Sequence, residues 1–160
     1  MTLTAEAALV RSVEHYLSQA DHLLGILENE PQAEALMAIQ LAPDSFDTGF
    51  HLAVAIKFAS RALCLPAGVA LPEIEEPYNI GTLRALHTAV ATSISDLPKP
   101  EWTARVRHVA GEALLEQPTA DYIARFALPN MLFHLTMAYA GLRHGGLKIG
   151  KADFDGLHEY

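Results

Sequence analysis

Apolar residues recur at helical spacing along the first part of the chain. They stand four and three residues apart in turn, which is typical of the buried face of a bundle helix. The positions are Leu9, Val13, Tyr16, Ala20, Leu23 and Leu27. Thr4 is a good N-cap, so the pattern predicts a helix from about Thr4 to about Glu28. His15 and His22 fall on the opposite face, and we expect both imidazoles to be solvated.

Pro, Gly and polar loop residues divide the rest of the chain into further segments. We predict a short helix over residues 31–39 and long helices over residues 49–65 and 82–95. Residues 105–115 alternate weakly around a glycine, which indicates a small hairpin. A last helix is predicted from about residue 119 to residue 143. An all-α four-helix bundle with one long crossover is the simplest architecture for these elements.

The last predicted helix contains the stretch ALPNMLFHLTMAYAGLRHGG, residues 127–146. It is almost wholly apolar, yet Asn130 and His134 lie four residues apart and therefore share a face. Pro129 removes one intrahelical hydrogen bond, so we expect a kink or a restart there. Gly145 is a natural C′ residue for the end of the helix.

The second long helix also offers an imidazole to the core. Its polar residues cluster within roughly 100° of one another at 100° per residue. His51 lies about 130° from the middle of that arc, so it points with the apolar residues. A buried imidazole needs a partner, because an unpaired buried polar group costs on the order of 1–3 kcal/mol.

Two interpretations of the inward imidazoles remain open. Bundle cores are places where metal sites form from facing helices, and neutral imidazole is a common ligand for zinc, nickel or iron. Yet two histidines are one short of a three-ligand catalytic site. The alternative is a satisfied structural pair, in which His51, His134 and Asn130 form a buried hydrogen-bond network.

Length and charge exclude several classes of protein. The chain has 160 residues, which fits one domain spanning residues 1–160. The net charge is −8, from 11 basic and 19 acidic residues, and this balance argues against nucleic acid as a partner. Apolar runs are broken well before 18 residues, so we expect no membrane span. The first residues lack the pattern of a secretory signal, and Cys64 is the one cysteine, so we expect a cytoplasmic location.

Other residues with reactive side chains have simpler explanations. Cys64 sits in an apolar run and is expected to be a small buried hydrophobe rather than a reactive thiol. We expect His87 to be partly exposed and His108 to be exposed. Tyr139 is expected to pack in the bundle, and Arg143 to counter the helix dipole rather than to hold a substrate.

Three stretches resemble a bacterial family of unknown function within the DinB/YfiT-like superfamily. They are LAPDSF at residues 41–46, DYIARFALPNMLFHLTMAYAGLRHGG at residues 121–146 and KIGKADF at residues 148–154. Their order and spacing match, and the likeness spans nearly the whole chain. The resemblance implies a DinB-like four-helix bundle, commonly a homodimer.

The resemblance also implies a site. Superfamily members that bind a divalent metal use three histidines, one from the start of the second helix and two from an H-x3-H on the last helix, with an arginine nine residues further on. His134 and Arg143 have that spacing, and His51 stands near the helix-two position. Asn130 occupies the place of the third histidine. The implied ligand set is therefore His51, His134 and Asn130, with zinc or nickel as the ion, and no catalytic residue is implied.

Two functional hypotheses follow. The chain is either a small-molecule-binding bundle that uses this degenerate metal-site pocket, or a metal-free structural protein acting as a homodimer. The sequence leaves open whether the first would be an enzyme.

Overall fold

A computed structural model describes residues 4–98 and 101–159. Helices and a hairpin follow one another along the chain. The helices are α1 (Ala5–Glu28), α2 (Ala33–Met37), α3 (Thr48–Cys64), α4 (Ile80–Ser95), α5 (Thr119–Tyr122), α6 (Leu128–His144) and α7 (Lys151–Asp155). The strands are β1 (Arg105–Ala110) and β2 (Ala113–Pro118). The predicted helical bundle with a long crossover and a small hairpin is confirmed.

Capping side chains set where the long helices begin. The Thr4 hydroxyl accepts a hydrogen bond from the amide of Ala7 at the start of α1. The carboxylate of Asp47 accepts one from the amide of Phe50 at 2.7 Å, and α3 begins at the next residue, Thr48. These bonds satisfy amides that the first turn of a helix leaves without an intrahelical partner. The predicted starts of both helices are therefore correct to within a residue.

Helices α3 and α6 pack closely against each other in the middle of the bundle. Nearly every residue of α3 is buried, including Ala53, Ala55 and Ala59, so the helix is surrounded by the other elements. Gly141 lets α6 approach, because a Cβ at this position would lie 2.2 Å from the hydroxyl oxygen of Thr48. This close contact sets the separation of the two helices that carry His51 and His134.

The helical region before α6 contains a π-helical turn at Ile123–Ala127. Helix α5, this turn and α6 are consecutive, so the chain stays helical from Thr119 to His144. The perturbation expected at Pro129 takes the form of this wider turn. A proline ring clashes with the carbonyl four residues earlier, and a wider turn relieves that clash.

The hairpin pairs β1 and β2 in antiparallel register, with Arg105 opposite Pro118 and Ala110 opposite Ala113. Gly111 has a φ of 60° in the turn, a conformation that favours glycine. Val109 and Leu114 face each other across the strands and are 56% and 60% exposed. The hairpin thus presents an apolar face to solvent.

The C-terminal segment packs on α1 through histidine and aspartate side chains. His22 Nε2 lies 2.8 Å from an Asp153 carboxylate oxygen, and His15 Nε2 lies 2.6 Å from the carbonyl oxygen of Asp155. The expectation that both imidazoles are solvated is correct for His22, which is exposed, but not for His15, which is half-buried. The difference arises because α7 follows a short loop that the helical pattern did not reveal. Phe154 packs on Tyr16, with ring centroids 5.9 Å apart.

The end of α6 also differs slightly from expectation. Gly145 has a φ of −72° and closes the helix, while Gly146 has a φ of 94°. The residue in the left-handed region is therefore Gly146, one position after the predicted one. Across the two described ranges, no helix is both long enough and apolar enough to cross a membrane.

Candidate functional site

The imidazoles of His51 and His134 meet between α3 and α6. Their Nδ1 atoms are 2.9 Å apart, and the ring centroids are 5.1 Å apart with planes inclined by 40°. His51 lies in the first turn of α3, which Asp47 caps, and His134 lies in the second turn of α6. The helical spacing that predicted an inward imidazole on each helix thus leads to one shared contact.

Burial keeps both imidazoles in their neutral form. His51 is 5% exposed, and burial lowers its pKa although the charge of Asp47 acts in the opposite direction. Burial, and after it the neighbouring His51, lower the pKa of His134 to about 4. A hydrogen bond between the two Nδ1 atoms needs one proton between them, so one ring donates and the other accepts.

Phenylalanine rings surround this pair. The ring centroids of Phe46, Phe50 and Phe133 lie 6.5, 6.2 and 6.3 Å from that of His51, and we call these three residues the aromatic collar. On the other side of the pair, Phe58 stacks on His134 at 6.1 Å with an interplanar angle of 17°. The low pKa of the imidazoles follows from this apolar environment, since burial disfavours the charged form.

One buried nitrogen of the pair lacks a hydrogen-bond partner among the described residues. His51 Nε2 is buried, and no described residue accepts from it or donates to it. Most buried polar side-chain atoms in proteins have a hydrogen-bond partner, so this atom calls for an explanation.

Asn130 does not take part in the imidazole contact. Its Nδ2 donates to the carbonyl oxygen of Phe126 at 2.7 Å, one turn earlier in the same helical region. Among the described contacts, none joins the amide to His51 or His134. This bond satisfies the carbonyl of Phe126 in the π-helical turn. The spacing of Asn130 and His134 could not indicate such a bond. Its assignment as a metal ligand stays a prediction.

The imidazole pair could supply two of the three histidine ligands of a metal site, but the third is lacking among the described residues. Two nitrogen ligands at about 2.05 Å from a tetrahedral zinc ion are about 3.3 Å apart. The observed 2.9 Å between the Nδ1 atoms is a hydrogen-bond distance, so the two rings would move apart by about 0.4 Å to share such an ion. Within residues 4–98 and 101–159, no group of three or more His, Cys, Asp or Glu side chains is arranged to hold a metal ion.

His108 is buried, although the sequence predicted that it would be exposed. It is 8% exposed, its Nε2 lies 2.7 Å from Gln117 Oε1, and its ring packs 4.2 Å from that of Phe126. The alternation of β1 places it on the same face as the buried Val106, so the period-two pattern of the strand was the signal that could have revealed it.

The remaining candidates lie outside the imidazole contact. Cys64 is buried, and burial raises the pKa of its thiol, as expected of an inert core residue. Tyr139 packs on Phe154 with ring centroids 5.7 Å apart, and Arg143 Nη1 donates to its hydroxyl at 3.3 Å. His87 is half-buried, with Nε2 3.2 Å from the carbonyl oxygen of Leu17.

Comparison with solved structures gives the class of protein first. The chain is similar in fold to a DinB family member protein from Shewanella denitrificans, with a TM-score of 0.76 and 21% sequence identity. The match covers 95% of this chain and 91% of that chain. At this identity the likeness shows the fold, which is a DinB-like helical bundle.

The sequence comparison then gives the family. Residues 7–155 match the domain of unknown function DUF1993, and the chain belongs to this family. Comparison with curated proteins gives no match. The family membership agrees with the resemblance drawn from the three sequence stretches.

Proposed function

We propose that the chain binds a divalent metal ion, zinc or nickel, through Nδ1 of His51 and Nδ1 of His134. The observation that carries the proposal is the 2.9 Å approach of these two nitrogens from separate helices. Two imidazoles would leave two positions of a tetrahedral ion open for water or a small molecule, one more than a three-ligand catalytic site leaves. A divalent ion in such a place supplies Lewis-acid polarisation of a bound oxygen.

The surrounding residues support this proposal by controlling protonation. A histidine ligand must be neutral, and metal binding is weakened when protons compete for the nitrogen. Burial lowers the pKa of both imidazoles, that of His134 to about 4, so protons compete little at neutral pH. Among the described residues, no aspartate or glutamate forms a hydrogen bond with either ring, so both Nδ1 atoms keep only each other as a partner.

The test is an equilibrium titration with zinc chloride of the full chain, purified without an affinity tag. We expect one zinc ion per chain, with binding weakened at least tenfold in His51→Ala and in His134→Ala. The matched control is His144→Ala, which removes an exposed imidazole from the end of the same helix as His134. Zinc affinity in this control should equal that of the wild type.

Two results would contradict the proposal. The first is the absence of stoichiometric zinc or nickel binding by a chain that is folded according to circular dichroism. The second is zinc binding that His144→Ala weakens as much as His134→Ala does, because the ion would then be held by surface histidines.

The second candidate is a metal-free homodimer, and the hairpin is the observation that favours it. Val109, Leu114 and Leu115 are 56%, 60% and 38% exposed, and an exposed apolar strand can pair with another chain. Sedimentation of the wild type and of Leu114→Lys tests this candidate. A dimer that Leu114→Lys dissociates would support it, and a wild-type monomer at high concentration would exclude it.

A further inference from the structure

A pocket of about 380 Å³ lies at the start of α3, and we call it the loop pocket. The turn before α3 and the segment before α4 both contribute to its lining. Its volume falls within the range of small-molecule sites. Its aromatic and acidic lining residues are Phe46, Asp47, Phe50, Glu76 and Tyr78. The described lining includes neither His51 nor His134, so the loop pocket uses a different set of residues from the imidazole pair.

Three aromatic rings stand together in the loop pocket. The rings of Phe46 and Phe50 stack, with centroids 3.9 Å apart and an interplanar angle of 15°. The ring of Tyr78 lies 6.2 Å from that of Phe50, inclined by 59°. Phe46 is 60% exposed, so solvent reaches this part of the lining. The rings form one continuous aromatic surface, and aromatic faces attract cations.

Two carboxylates lie beside these rings. Asp47 Oδ1 accepts the hydrogen bond from the amide of Phe50 at 2.7 Å, and no described hydrogen bond engages Oδ2. Glu76 is exposed. Within residues 4–98 and 101–159, neither carboxylate forms an ion pair with a basic residue. The N-terminus of α3 offsets only about half an elementary charge, so the loop pocket stays negative.

The neighbouring Lys57 shows how the same kinds of group hold a cation. Its Nζ lies 5.3 Å from the centroid of the Tyr78 ring and 3.3 Å from a carboxylate oxygen of Glu73, and it donates to the Tyr78 hydroxyl at 3.0 Å. Glu73 balances the charge of Lys57, which therefore leaves Asp47 and Glu76 unbalanced. Among the described residues, no lysine or arginine lies over Phe46 or Phe50 in this way. The loop pocket thus combines rings and carboxylates without a cation of the chain.

We propose that the loop pocket binds a small organic cation that carries methyl groups on its nitrogen. The methyl groups pack on Phe46 and Phe50, while the carboxylates of Asp47 and Glu76 balance the charge. A hard inorganic cation would leave the rings without a role, since such ions prefer oxygen ligands. A neutral compound would leave the two carboxylates unbalanced, and an anion would be repelled by them. The proposal does not depend on a metal ion at the imidazole pair.

Choline is the probe for this proposal, and calorimetric titration of the full chain is the measurement. The chain is first treated with a chelator, and the titration is made at low ionic strength, where charge interactions are least screened. We expect saturable binding of one choline per chain. The neutral alcohol in which carbon replaces the nitrogen of choline has the same shape without the charge and should not bind. Ethanolamine has the charge without the methyl groups and should bind more weakly than choline.

Variants of the lining test which groups hold the cation. Glu76→Gln and Asp47→Asn should each weaken choline binding at least roughly threefold because each removes a charge. Asparagine at position 47 still caps α3, so this variant should fold. Phe46→Ala should weaken binding about two- to fivefold, the range of an exposed cation–π contact. The matched controls are Glu75→Gln, an exposed carboxylate outside the lining, and Leu114→Ala, as exposed as Phe46 at 60%; both should leave binding unchanged.

Four results would overturn the loop-pocket proposal. The first is the absence of choline binding by a chain that is folded according to circular dichroism. The second is equally tight binding of the neutral alcohol, and the third is equally tight binding of ethanolamine. The fourth is a loss in Glu75→Gln as large as that in Glu76→Gln, because the cation would then be held by surface charge in general. Since these titrations use the chelator-treated chain, none of the four bears on zinc binding at the imidazole pair.

Discussion

Two regions of this molecule use histidine side chains in opposite ways. At the contact between α3 and α6, His51 and His134 face each other among phenylalanine rings. At the contact between α1 and α7, which we call the terminal seam, His22 pairs with the carboxylate of Asp153 at 2.8 Å. In the first region imidazole meets imidazole, and in the second it meets an acid.

The difference between the regions lies in the partner of the imidazole. Apolar surroundings lower the pKa of His51 and His134, which leaves neutral nitrogens available as ligands. In the terminal seam, the hydrogen bond from His22 and the amide of Gly150 lower the pKa of Asp153, which keeps the carboxylate charged. The first arrangement is suited to binding a ligand, while the second stabilises the packing of α7 on α1.

The largest expected effect is a fall in the free energy of unfolding at acid pH, caused by the buried imidazole pair and not by the terminal seam. His134 titrates at about 4 in the folded chain and near 6.5 when unfolded, so the unfolded chain takes up the proton first as the pH falls. The free energy of unfolding should therefore be highest above pH 6.5 and fall by about 2–3 kcal/mol towards pH 4. Urea unfolding at a series of pH values measures this fall, and His134→Gln should flatten the curve in that range. An equally steep fall in His134→Gln would show that other groups cause it.

The next effect concerns the packing that holds the imidazole pair together. Gly141→Ala places a Cβ 2.2 Å from the Thr48 hydroxyl and forces α3 and α6 apart. We expect a loss of about 2 kcal/mol, as for other overpacked cores. The matched control is Gly25→Ala in α1, where a Cβ has no atom within 4 Å. Since alanine favours a helix more than glycine does, this substitution should raise the free energy of unfolding by about 0.5–1 kcal/mol. Urea unfolding measures both, and a neutral Gly141→Ala would show that the close approach is not required.

The smallest effect belongs to the terminal seam. Asp153→Asn removes the charge that pairs with His22 and weakens the bond to the amide of Gly150. Since such pairs are partly exposed, the expected loss is about 0.2–1 kcal/mol. Hydrogen exchange of the α7 amides should become faster, while the imidazole nitrogen signals of His51 and His134 should not shift. The control Glu116→Gln, in the exposed hairpin pair with Arg105, should leave α7 unchanged. A shift of the His134 signals in Asp153→Asn would mean that the two regions are coupled.

Much of the bundle could be predicted because its helices carry strong local signals. The heptad-like spacing after Thr4 and the cap at Asp47 are local features of the sequence. The inward direction of His51 followed from the narrow polar arc of α3. These features depend on residues close together in sequence, so no knowledge of packing was needed.

Features that depend on distant contacts could not be predicted in this way. The seam between His22 and Asp153 joins residues 131 positions apart, and α7 has only five residues, too few for a periodic pattern. The period-two pattern of β1 could indicate that His108 is buried, but not that its ring packs on Phe126 and Tyr122, which belong to other elements. The bond from Asn130 to Phe126 depends on backbone geometry near the π-helical turn, whereas the spacing of Asn130 and His134 suggested a shared site.

The most direct test of the shared site is the anomalous difference density at the zinc absorption edge, from crystals of the tag-free chain grown with zinc. We predict one strong peak between α3 and α6, about 2.0–2.1 Å from both Nδ1 of His51 and Nδ1 of His134. A strong peak in the terminal seam, beside His22 and Asp153, with none at the imidazole pair would contradict the account.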